Sequence, residues 1–307
     1  MGYNRDVKCL FLYNPSSGRG KIARKLGYIE KTLKKRYSQV DIHATTSAED
    51  LEEQARRASA EYDAIVFSGG DGTINHVLSA VEGSDVPLGY LPGGTANDVA
   101  RSLGIPRSVR GALKVITRGR IAGLDCMRIN GERYAMYIAA AGAFTSATYE
   151  TPQSTKRALG WIAYAIHALR KNMKLDVFPM HITCGERTVS THGVLMFILN
   201  GRSVSRFLMN RHASMQDGVL ELAIIKQAEK PGFFRKIGAF ISIASLMVLG
   251  VKVKKRDIEI LRGSRVSVET DERVVWDFDG EKGTEGNVLV EVLPRRVAFF
   301  VPKKKKI

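Results

Sequence analysis

The chain has 307 residues, of which 44% are hydrophobic, and a formal net charge of +16 at pH 7. This length exceeds one ordinary domain, so we expect two domains or one domain with an appendage, and the apolar fraction allows a large core. Three scattered cysteines without CxxC spacing argue against a disulfide framework or a zinc site and favour the reducing cytoplasm. Because charged residues lead straight into a strand, we expect no signal peptide.

The positive charge is concentrated in three clusters, residues 31–36, 252–256 and 303–306. A large positive charge predicts attraction to anionic partners but does not choose among them. The clusters lack the interleaved aromatic residues of single-strand binders and contain no nucleic-acid motif, so we expect no nucleic-acid partner. A solvated basic face and docking onto an acidic membrane remain open as alternatives.

The first part of the chain, up to about residue 125, alternates short apolar runs with helical periodicity. This rhythm predicts a doubly wound parallel sheet whose site lies at the carboxyl ends of its strands. One helix start is marked by a capping box, Ser47 with Asp50. The predicted strands are residues 7–15, 39–45, 63–68 and 86–92, and the predicted helices are residues 21–36, 47–61, 74–83, 96–105 and 108–120.

The first turn reads NPSSGRGKIA at residues 14–23. Gly18, Gly20 and Ala23 match the dinucleotide fingerprint weakly, but the next strand ends in Thr45 and not in the acidic residue that would hold a ribose. A turn that contacts phosphate and a plain connector both fit. The chain has no GxxxxGK[ST], GxSxG or HExxH pattern, which excludes three common classes of enzyme site.

Two glycine pairs follow neighbouring predicted strands, in SGGDGTIN at residues 68–75 and in LPGGTAND at residues 91–98. Glycine pairs allow positive φ angles or close approach to the main chain. A strand, a glycine loop and a helix N-terminus together favour a phosphate, because free N–H groups and the helix dipole point at the loop. We therefore predict that both loops face one polyphosphate.

The second part changes character. It contains a predicted amphipathic helix at about residues 155–171 and otherwise short strands, which predicts an antiparallel β-sandwich. The apolar run at residues 237–251 has 15 residues, fewer than the roughly 20 needed to span a bilayer, so we expect a buried or interfacial helix. The predicted domains are an α/β domain at residues 1–128, a β-sandwich at residues 129–293 and a basic C-terminal segment at residues 294–307 that can return to the first domain.

The carboxylates in the glycine loops both have a structural interpretation, and Asp71 has a functional one as well. Asp71 lies between Gly70 and Gly72, where it can cap a helix or act as the hard oxygen ligand of phosphate-bound Mg²⁺. Asp98 lies in the first turn of a predicted helix, where it can simply favour the dipole.

A second acidic group lies far downstream, in WDFDGEKG. Asp277, Asp279 and Glu281 share one face if the strand continues through them. Since like charges on one face repel, a hairpin turn at Asp279-Gly280 is the structural alternative. The functional interpretation is a general base that takes a proton from an alcohol.

Taken together, these motifs resemble the diacylglycerol kinase catalytic-domain family, which includes bacterial lipid kinases and sphingosine kinases. The resemblance covers nearly the whole chain, in the family's order and approximate spacing. GGDGT alone is shared with NAD kinases and phosphofructokinases, whereas its combination with GTAND and a late DGE is specific. The matching segments are YNPSSGRGK, SGGDGTINHV, LPGGTANDVARSLGIP, GLDCMRIN, MQDGVLEL and DFDGE.

The resemblance implies an ATP-dependent and Mg²⁺-dependent kinase that phosphorylates a lipid hydroxyl, with diacylglycerol as the first candidate. It implies catalytic roles for Asp279 as proton acceptor, with Glu281 beside it, and for Asp71. Matched motif by motif, the implied nucleotide-binding residues are Asn14, Pro15, Ser16, Ser17, Gly18, Thr45, Gly69, Gly70, Asp71, Gly72, Thr73, Ile74, Asn75, Gly94, Thr95, Asn97 and Asp98.

The resemblance also implies two metal sites. Asp71, Asp98 and Asp125 match the carboxylate network that holds the catalytic Mg²⁺ through water. SMQDGVL matches a separate structural metal loop, with Asp217 as a side-chain ligand and Ser214 and Val219 as carbonyl ligands.

The implied partners are a lipid substrate at a membrane surface and anionic phospholipid headgroups, and a homodimer is compatible with the pattern. The implied location is cytoplasmic and peripheral to the membrane. Two rival functions remain open. A kinase of a soluble metabolite such as NAD would use the same GGDGT loop, and a non-catalytic protein that binds anionic membranes would need only the basic segments.

Overall fold

The structure is a computed structural model that describes residues 6–16, 20–143, 176–204, 209–210, 213–253 and 255–304. Its first part contains a parallel sheet in the spatial order β2-β1-β3-β4. The apolar runs form these strands because buried parallel strands favour continuous apolar residues. They are β1 (Lys8–Tyr13), β2 (Gln39–Ala44), β3 (Ala64–Gly69) and β4 (Leu88–Pro92).

The helices of the first part pack in two pairs, α2 with α3 and α1 with α5. Helix α2 begins after Ser47, whose hydroxyl accepts a hydrogen bond from the Asp50 N–H at 3.2 Å. Helix α1 is shorter than predicted, because a 3-10 turn at Ala23–Lys25 precedes it. The helices are α1 (Leu26–Leu33), α2 (Ala48–Glu61), α3 (Asp71–Ala80), α4 (Asp98–Leu103) and α5 (Val109–Arg118).

The second part is built from antiparallel strands around a separate apolar core that contains Trp276 and Phe278. This confirms the predicted fold class, an α/β domain followed by a β-sandwich. The strands are β5 (Arg120–Ile129), β6 (Arg133–Ala135), β7 (Ile138–Gly142), β8 (Phe178–Cys184), β9 (Arg187–Leu199), β10 (Leu220–Lys226), β11 (Ile258–Gly263), β12 (Arg265–Thr270), β13 (Val275–Phe278), β14 (Glu281–Glu285) and β15 (Val288–Val301).

The last strand joins the two parts. It pairs antiparallel with β12 and β5, and it pairs parallel with β4 where Phe299 lies opposite Leu88. The sheet is therefore continuous along the order β14-β13-β7-β9-β8-β12-β15-β4-β3-β1-β2. The predicted domain limits at residues 128 and 293 fall inside β5 and β15, and they stay predictions.

One helix of the second part, α6 (Phe233–Leu249), is longer than the apolar run suggested. Arg235 and Lys236 are helical residues and not its boundary, so the apolar stretch Phe233–Lys252 has 20 residues and is long enough, by length and composition alone, to cross a membrane. The helix therefore extends beyond the apolar run at residues 237–251, and its buried or interfacial placement stays a prediction. Only 28% of an 18-residue apolar window within the stretch Phe233–Lys252 is buried. The helix predicted near residues 155–171 lies outside the described residues.

Candidate active site

The predicted loops meet at one edge of the parallel sheet, because the strands run in the same direction. Tyr13 pairs with both Ala44 and Ser68, and Gly69 pairs with Pro92, so the carboxyl ends are level. The candidate residues Asn14, Pro15, Ser16, Thr45, Gly70, Gly94 and Thr95 follow these ends, whereas Ser17 and Gly18 lie outside the described residues.

The two glycine loops contact each other through their backbones. The Gly93 N–H donates to the Gly69 carbonyl at 2.7 Å. A Cβ on Gly94 would lie 2.6 Å from the Gly70 Cα, and a Cβ on Gly69 would lie 2.2 Å from the Thr73 hydroxyl oxygen. No side chain fits at these distances, so close approach is the reason for glycine at residues 69 and 94.

Asn97 holds the second loop in shape. It has a left-handed backbone (φ 52°), which short polar side chains tolerate. Its side-chain oxygen accepts from the Gly94 N–H at 2.9 Å, and its side-chain nitrogen donates to the Gly94 carbonyl at 2.8 Å. Because of this conformation, α4 begins at Asp98 and not at residue 96 as predicted. Arg107 donates to the Thr95 carbonyl at 2.9 Å.

Asp71 links the first loop to α4. Its carboxylate accepts hydrogen bonds from the Asp98 N–H at 3.1 Å and the Val99 N–H at 3.2 Å, so the capping interpretation holds. Burial, and then the neighbouring Asp98 carboxylate, raises the pKa of Asp71 to about 6. Asp98 itself accepts from the Ser203 hydroxyl at 2.7 Å. Two buried carboxylates therefore lie together behind the glycine loops.

Next to this pair, Asn75 offers a place for a polar ligand. It is 6% exposed and belongs to α3, whose N-terminus follows the first glycine loop. Neither its side-chain nitrogen nor its side-chain oxygen has a hydrogen-bond partner among the described residues, and the same holds for the Ser68 hydroxyl. An unsatisfied buried amide is costly, so these groups fit a polyphosphate nucleotide that would satisfy them.

The downstream carboxylates lie in a hairpin. Asp279 and Gly280 form the two-residue loop between β13 and β14, with φ angles of 53° and 91°. Asp277 closes this loop by accepting from the Gly280 N–H at 2.8 Å. An Asp-Gly pair favours this turn, in which both central residues have positive φ. The structure therefore has the hairpin turn and not the alternative in which one strand continues through Asp277, Asp279 and Glu281 and places them on one face.

The hairpin directs the Asp279 carboxylate inward, where it is 3% exposed. One oxygen, Oδ1, accepts from the Tyr137 N–H at 3.0 Å and the Ile138 N–H at 2.9 Å, and Oδ2 accepts from the Met136 N–H at 2.5 Å. Burial raises the pKa of Asp279 to about 7, the three hydrogen bonds oppose the rise, and Asp71 adds to it. Oδ2 carries one bond fewer than Oδ1, so it retains acceptor capacity.

Glu281 brings the hairpin onto the first glycine loop. A Cβ on Gly72 would lie 2.1 Å from the Glu281 Oε1. On its other side, Arg133 places Nη2 3.8 Å from the Glu281 Oε2 and donates through Nη1 to the Lys282 carbonyl at 3.1 Å. The structure thus brings Asp71, Asp279 and Glu281 close together from opposite parts of the chain.

Asp125 lies with the other predicted metal loop. Its carboxylate accepts from the Gly218 N–H at 2.8 Å and the Arg295 N–H at 2.7 Å. Burial, and then Asp125, raises the pKa of Asp217, whose carboxylate accepts from the Val219 N–H at 3.2 Å. These oxygen atoms are the donor type that Mg²⁺ and Ca²⁺ prefer.

The Asp125 N–H also donates to the Met215 carbonyl at 2.7 Å, so Asp125 joins the loop that contains Ser214 and Asp217. Among the described residues, no group of three or more His, Cys, Asp or Glu side chains is positioned to hold a metal ion. The assignment of these residues to metals stays a prediction.

Sequence reasoning missed the groups that hold the carboxylates. The N–H donors of residues 136–138 leave no signal, because backbone groups are independent of the side chain. Ser203 and Asn200 were also missed, although Asn200-Gly201 directly follows the apolar strand β9. Asn200 donates to the Asp125 and Met136 carbonyls at 2.9 and 2.8 Å.

Two family models match the chain. The Diacylglycerol kinase catalytic domain matches residues 8–129, and the YegS C-terminal NAD kinase beta sandwich-like domain matches residues 138–301. A diacylglycerol kinase of Bacillus subtilis (strain 168) is 30% identical over 299 residues, covering 96% of each chain. A diacylglycerol kinase of Staphylococcus aureus (strain MRSA252) is 28% identical over 295 residues, covering 95% of this chain and 91% of the relative.

The fold also matches solved structures. A crystal structure of a diacylglycerol kinase from Bacillus anthracis (strain Sterne) superimposes with a TM-score of 0.76 and 21% sequence identity, covering 97% of this chain and 98% of the other. The match extends over both the α/β part and the β-sandwich.

Proposed function

Because the chain belongs to the diacylglycerol kinase family, we propose that it transfers the γ-phosphoryl group of ATP to the hydroxyl of a lipid, with diacylglycerol as the first candidate. The family makes it a phosphotransferase. The choice of ATP, Mg²⁺ and a lipid acceptor is the proposal, and the site geometry supports it in three steps.

The nucleotide would lie across the two glycine loops. Their backbones approach each other too closely for side chains, and the N-terminus of α3 follows the first loop, which favours phosphate. Asn75 would supply the amide that lacks a partner among the described residues. Asp71 and Asp98 would hold Mg²⁺, which neutralises charge on the phosphates during transfer.

Asp279 would act as the base. Phosphoryl transfer requires mainly positioning, charge neutralisation and a group that accepts the alcohol proton. As the lipid oxygen forms its bond to the γ-phosphorus, its proton passes to the Asp279 Oδ2, and the bond from the γ-phosphorus to the bridging oxygen of ADP breaks. The products are the lipid phosphate and ADP. Glu281 would position the hairpin against Gly72.

One observation carries the proposal: the hairpin of Asp279 and Glu281 comes from the other part of the chain, Glu281 meets Gly72 of the first glycine loop, and the Asp279 carboxylate, with a pKa of about 7, lies close enough to Asp71 for that charge to raise its pKa. A base that titrates near ambient pH is effective in proton transfer. We further propose a cytoplasmic protein that associates with the membrane surface, since its net charge of +16 favours acidic headgroups.

Purified protein, γ-labelled ATP, Mg²⁺ and a panel of neutral lipids in mixed micelles test the proposal. We expect labelled lipid phosphate with diacylglycerol and none when Mg²⁺ is removed. NAD, supplied as a soluble acceptor, is the control for the rival function. Labelled NADP without labelled lipid would contradict the lipid assignment, and absence of ATP turnover with every acceptor would contradict the kinase assignment.

A further inference from the structure

Helix α6 carries large apolar side chains on two opposite faces. On one face Ile243 and Leu246 are 2% and 0% exposed and pack onto the protein. On the other, Phe234, Ile241 and Val248 are 85%, 55% and 66% exposed. These three residues are seven apart and so form one stripe along the helix. A surface helix normally turns polar residues outward, so this stripe is anomalous.

The stripe continues around both ends of α6. Phe233 at the first turn is 72% exposed, and Leu249 at the last turn is 61% exposed. Contiguous exposed apolar surface of this kind marks an interaction site in a folded protein. We name the six residues Phe233, Phe234, Ile237, Ile241, Val248 and Leu249 the α6 stripe.

The surroundings of the α6 stripe are strongly basic. Residues 229–257 contain seven Lys or Arg residues and two acidic residues. Directly after the helix, Lys252, Lys255 and Arg256 line an open cavity of about 790 Å³ together with apolar residues that include Val253 and Ile258. An apolar stripe bordered by cations is complementary to a surface with apolar tails and anionic headgroups.

We propose that the α6 stripe and the basic segment after it dock the protein onto an anionic lipid bilayer, an inference that rests on the proposed lipid kinase function. The stripe would enter the boundary between headgroups and acyl chains, and Lys252, Lys255 and Arg256 would contact lipid phosphates. A second copy of this chain fits the stripe less well than a bilayer does, because dimer formation would bring two strongly basic surfaces together.

The helix docks in the membrane plane and does not cross it. Its buried face packs against β10 and so stays attached to the sandwich. Ile243 belongs to the same apolar cluster as Ile138 and Ala140 of β7, whereas Ala139 faces the sandwich interior. The α6 helix thus covers the sheet side toward which Ile138 points, and the Ile138 N–H holds Asp279. Docking would bring that side to the lipid.

Vesicle flotation tests the apolar part without requiring activity. The probe is phosphatidylcholine vesicles with about 30% phosphatidylglycerol, and the variant is Phe234→Ser with Ile241→Ser. We expect vesicle binding to fall at least about tenfold, because the free energy gained by burying even one large apolar side chain corresponds to a change of that size. The matched control is Ile121→Ser, because Ile121 is 48% exposed on β5. Unchanged binding of the double variant would overturn the proposal.

Two charge variants distinguish docking through the basic segment after α6 from attraction by the net charge of the whole protein. The first changes Lys252, Lys255 and Arg256 to Gln, and the control changes Lys31, Lys34 and Lys35 to Gln, so that each removes three charges. We expect the first to weaken binding by about 100-fold, since each basic residue near an anionic surface contributes about fivefold. Equal loss in both triple variants would show that net charge alone drives binding and would overturn the proposed surface.

Other occupants of the stripe give different results. If light scattering shows a dimer that the Phe234→Ser and Ile241→Ser changes convert to monomer while vesicle binding persists, a second copy covers the stripe. If the same changes lower the melting temperature by several degrees while vesicle binding persists, the chain itself covers it. Either result rejects bilayer docking.

The same variants distinguish docking from the proposed function. A short-chain diacylglycerol that is soluble as a monomer needs no docking, so we expect the stripe variant to phosphorylate it at the wild-type rate. Loss of that activity would show that the changes damage the catalytic site and would reject a role confined to docking. If the wild-type protein phosphorylates no lipid at all, the proposed function fails, and flotation still decides whether the stripe binds bilayers.

Discussion

At the scale of single residues, two opposing effects set the pKa of Asp279. Burial disfavours its charged form, whereas three backbone N–H groups favour it, and the resulting pKa is about 7. Its left-handed backbone (φ 53°) is uncommon for a residue other than glycine. The Asp-Gly turn supplies this conformation and at the same time directs the carboxylate toward the backbone N–H groups of residues 136–138.

Replacing Asp279 with Asn should lower kcat at least about 100-fold, the usual lower range for lost acid-base catalysis. ATP affinity should change little, because Asp279 lies outside the glycine loops. Isothermal titration gives the ATP affinity, thermal unfolding checks the fold, and Asp271→Asn in an exposed turn is the control. Turnover of the Asp279 variant at the wild-type rate would reject the assigned base.

The pH profile of kcat/KM should follow the same group. The base must be ionised, so kcat/KM should rise with pH and reach half of its plateau near pH 7. Below this midpoint we expect kcat/KM to fall about tenfold for each pH unit. Initial rates from pH 5.5 to 8.5 at fixed ionic strength measure the profile, and a flat profile over this range contradicts the assignment.

The raised pKa values also affect folding. Unfolded Asp titrates near 3.9, whereas Asp71 and Asp279 titrate at about 6 and 7 in the folded chain. The folded state therefore binds protons that the unfolded chain has released. Their contribution to the free energy of unfolding is greatest below the unfolded pKa and is lost as the pH rises through 6 and 7.

The two glycine loops act together as one unit at the element scale. Each follows a buried parallel strand, and their backbones touch between Gly70 and Gly94. Parallel strands end at the same edge, which is why the sequence alone predicted that the loops would face one ligand. The direct backbone contact was not predictable, because it depends on the spacing of β3 and β4 in the folded sheet.

Gly94→Ala tests this contact. The added Cβ would lie 2.6 Å from the Gly70 Cα, so the loops must separate and the backbone surface that faces the nucleotide must change. We expect ATP affinity to fall at least about tenfold with a modest loss of thermal stability. Gly27→Ala is the matched control, since a Cβ there meets no atom within 4 Å. Unchanged ATP affinity in the Gly94 variant would show that the loops do not bind nucleotide.

The elements that the sequence predicted less well have identifiable physical reasons. At Asp279-Gly280 the pattern fitted both a strand and a turn, and the pairing of β13 with β14 decides between them. Arg235 and Lys236 were read as the end of an apolar run, although charged side chains are tolerated in an exposed first turn. The metal role of Asp125 stays a prediction, but its hydrogen-bond partners, Gly218 and Arg295, could not be predicted because they come from distant segments that only the tertiary fold brings together.

The strand β15 joins the two parts at the scale of the whole molecule. Its first residues pair with β12 in the sandwich, and Phe299 pairs with Leu88 in the parallel sheet. The strand therefore prevents the two parts from separating without breaking sheet hydrogen bonds. This arrangement matters for the site, because Asp71 and Asp279 come from opposite parts and their separation depends on that connection.

Removing residues 294–307 should therefore unfold the whole chain and not only its end. The deletion removes Val297, Phe299, Phe300 and Val301, each 6% exposed or less. At about 1.5 kcal/mol or more for each buried side chain, the loss is about 6 kcal/mol, comparable with the total stability of a domain. Calorimetry of the full chain should show one unfolding transition, and ATP should raise its midpoint temperature. Removal of residues 303–307 alone is the control and should leave that transition in place. Two separate transitions in the full chain, with ATP raising the midpoint temperature of only one, would show that β15 does not couple the two parts.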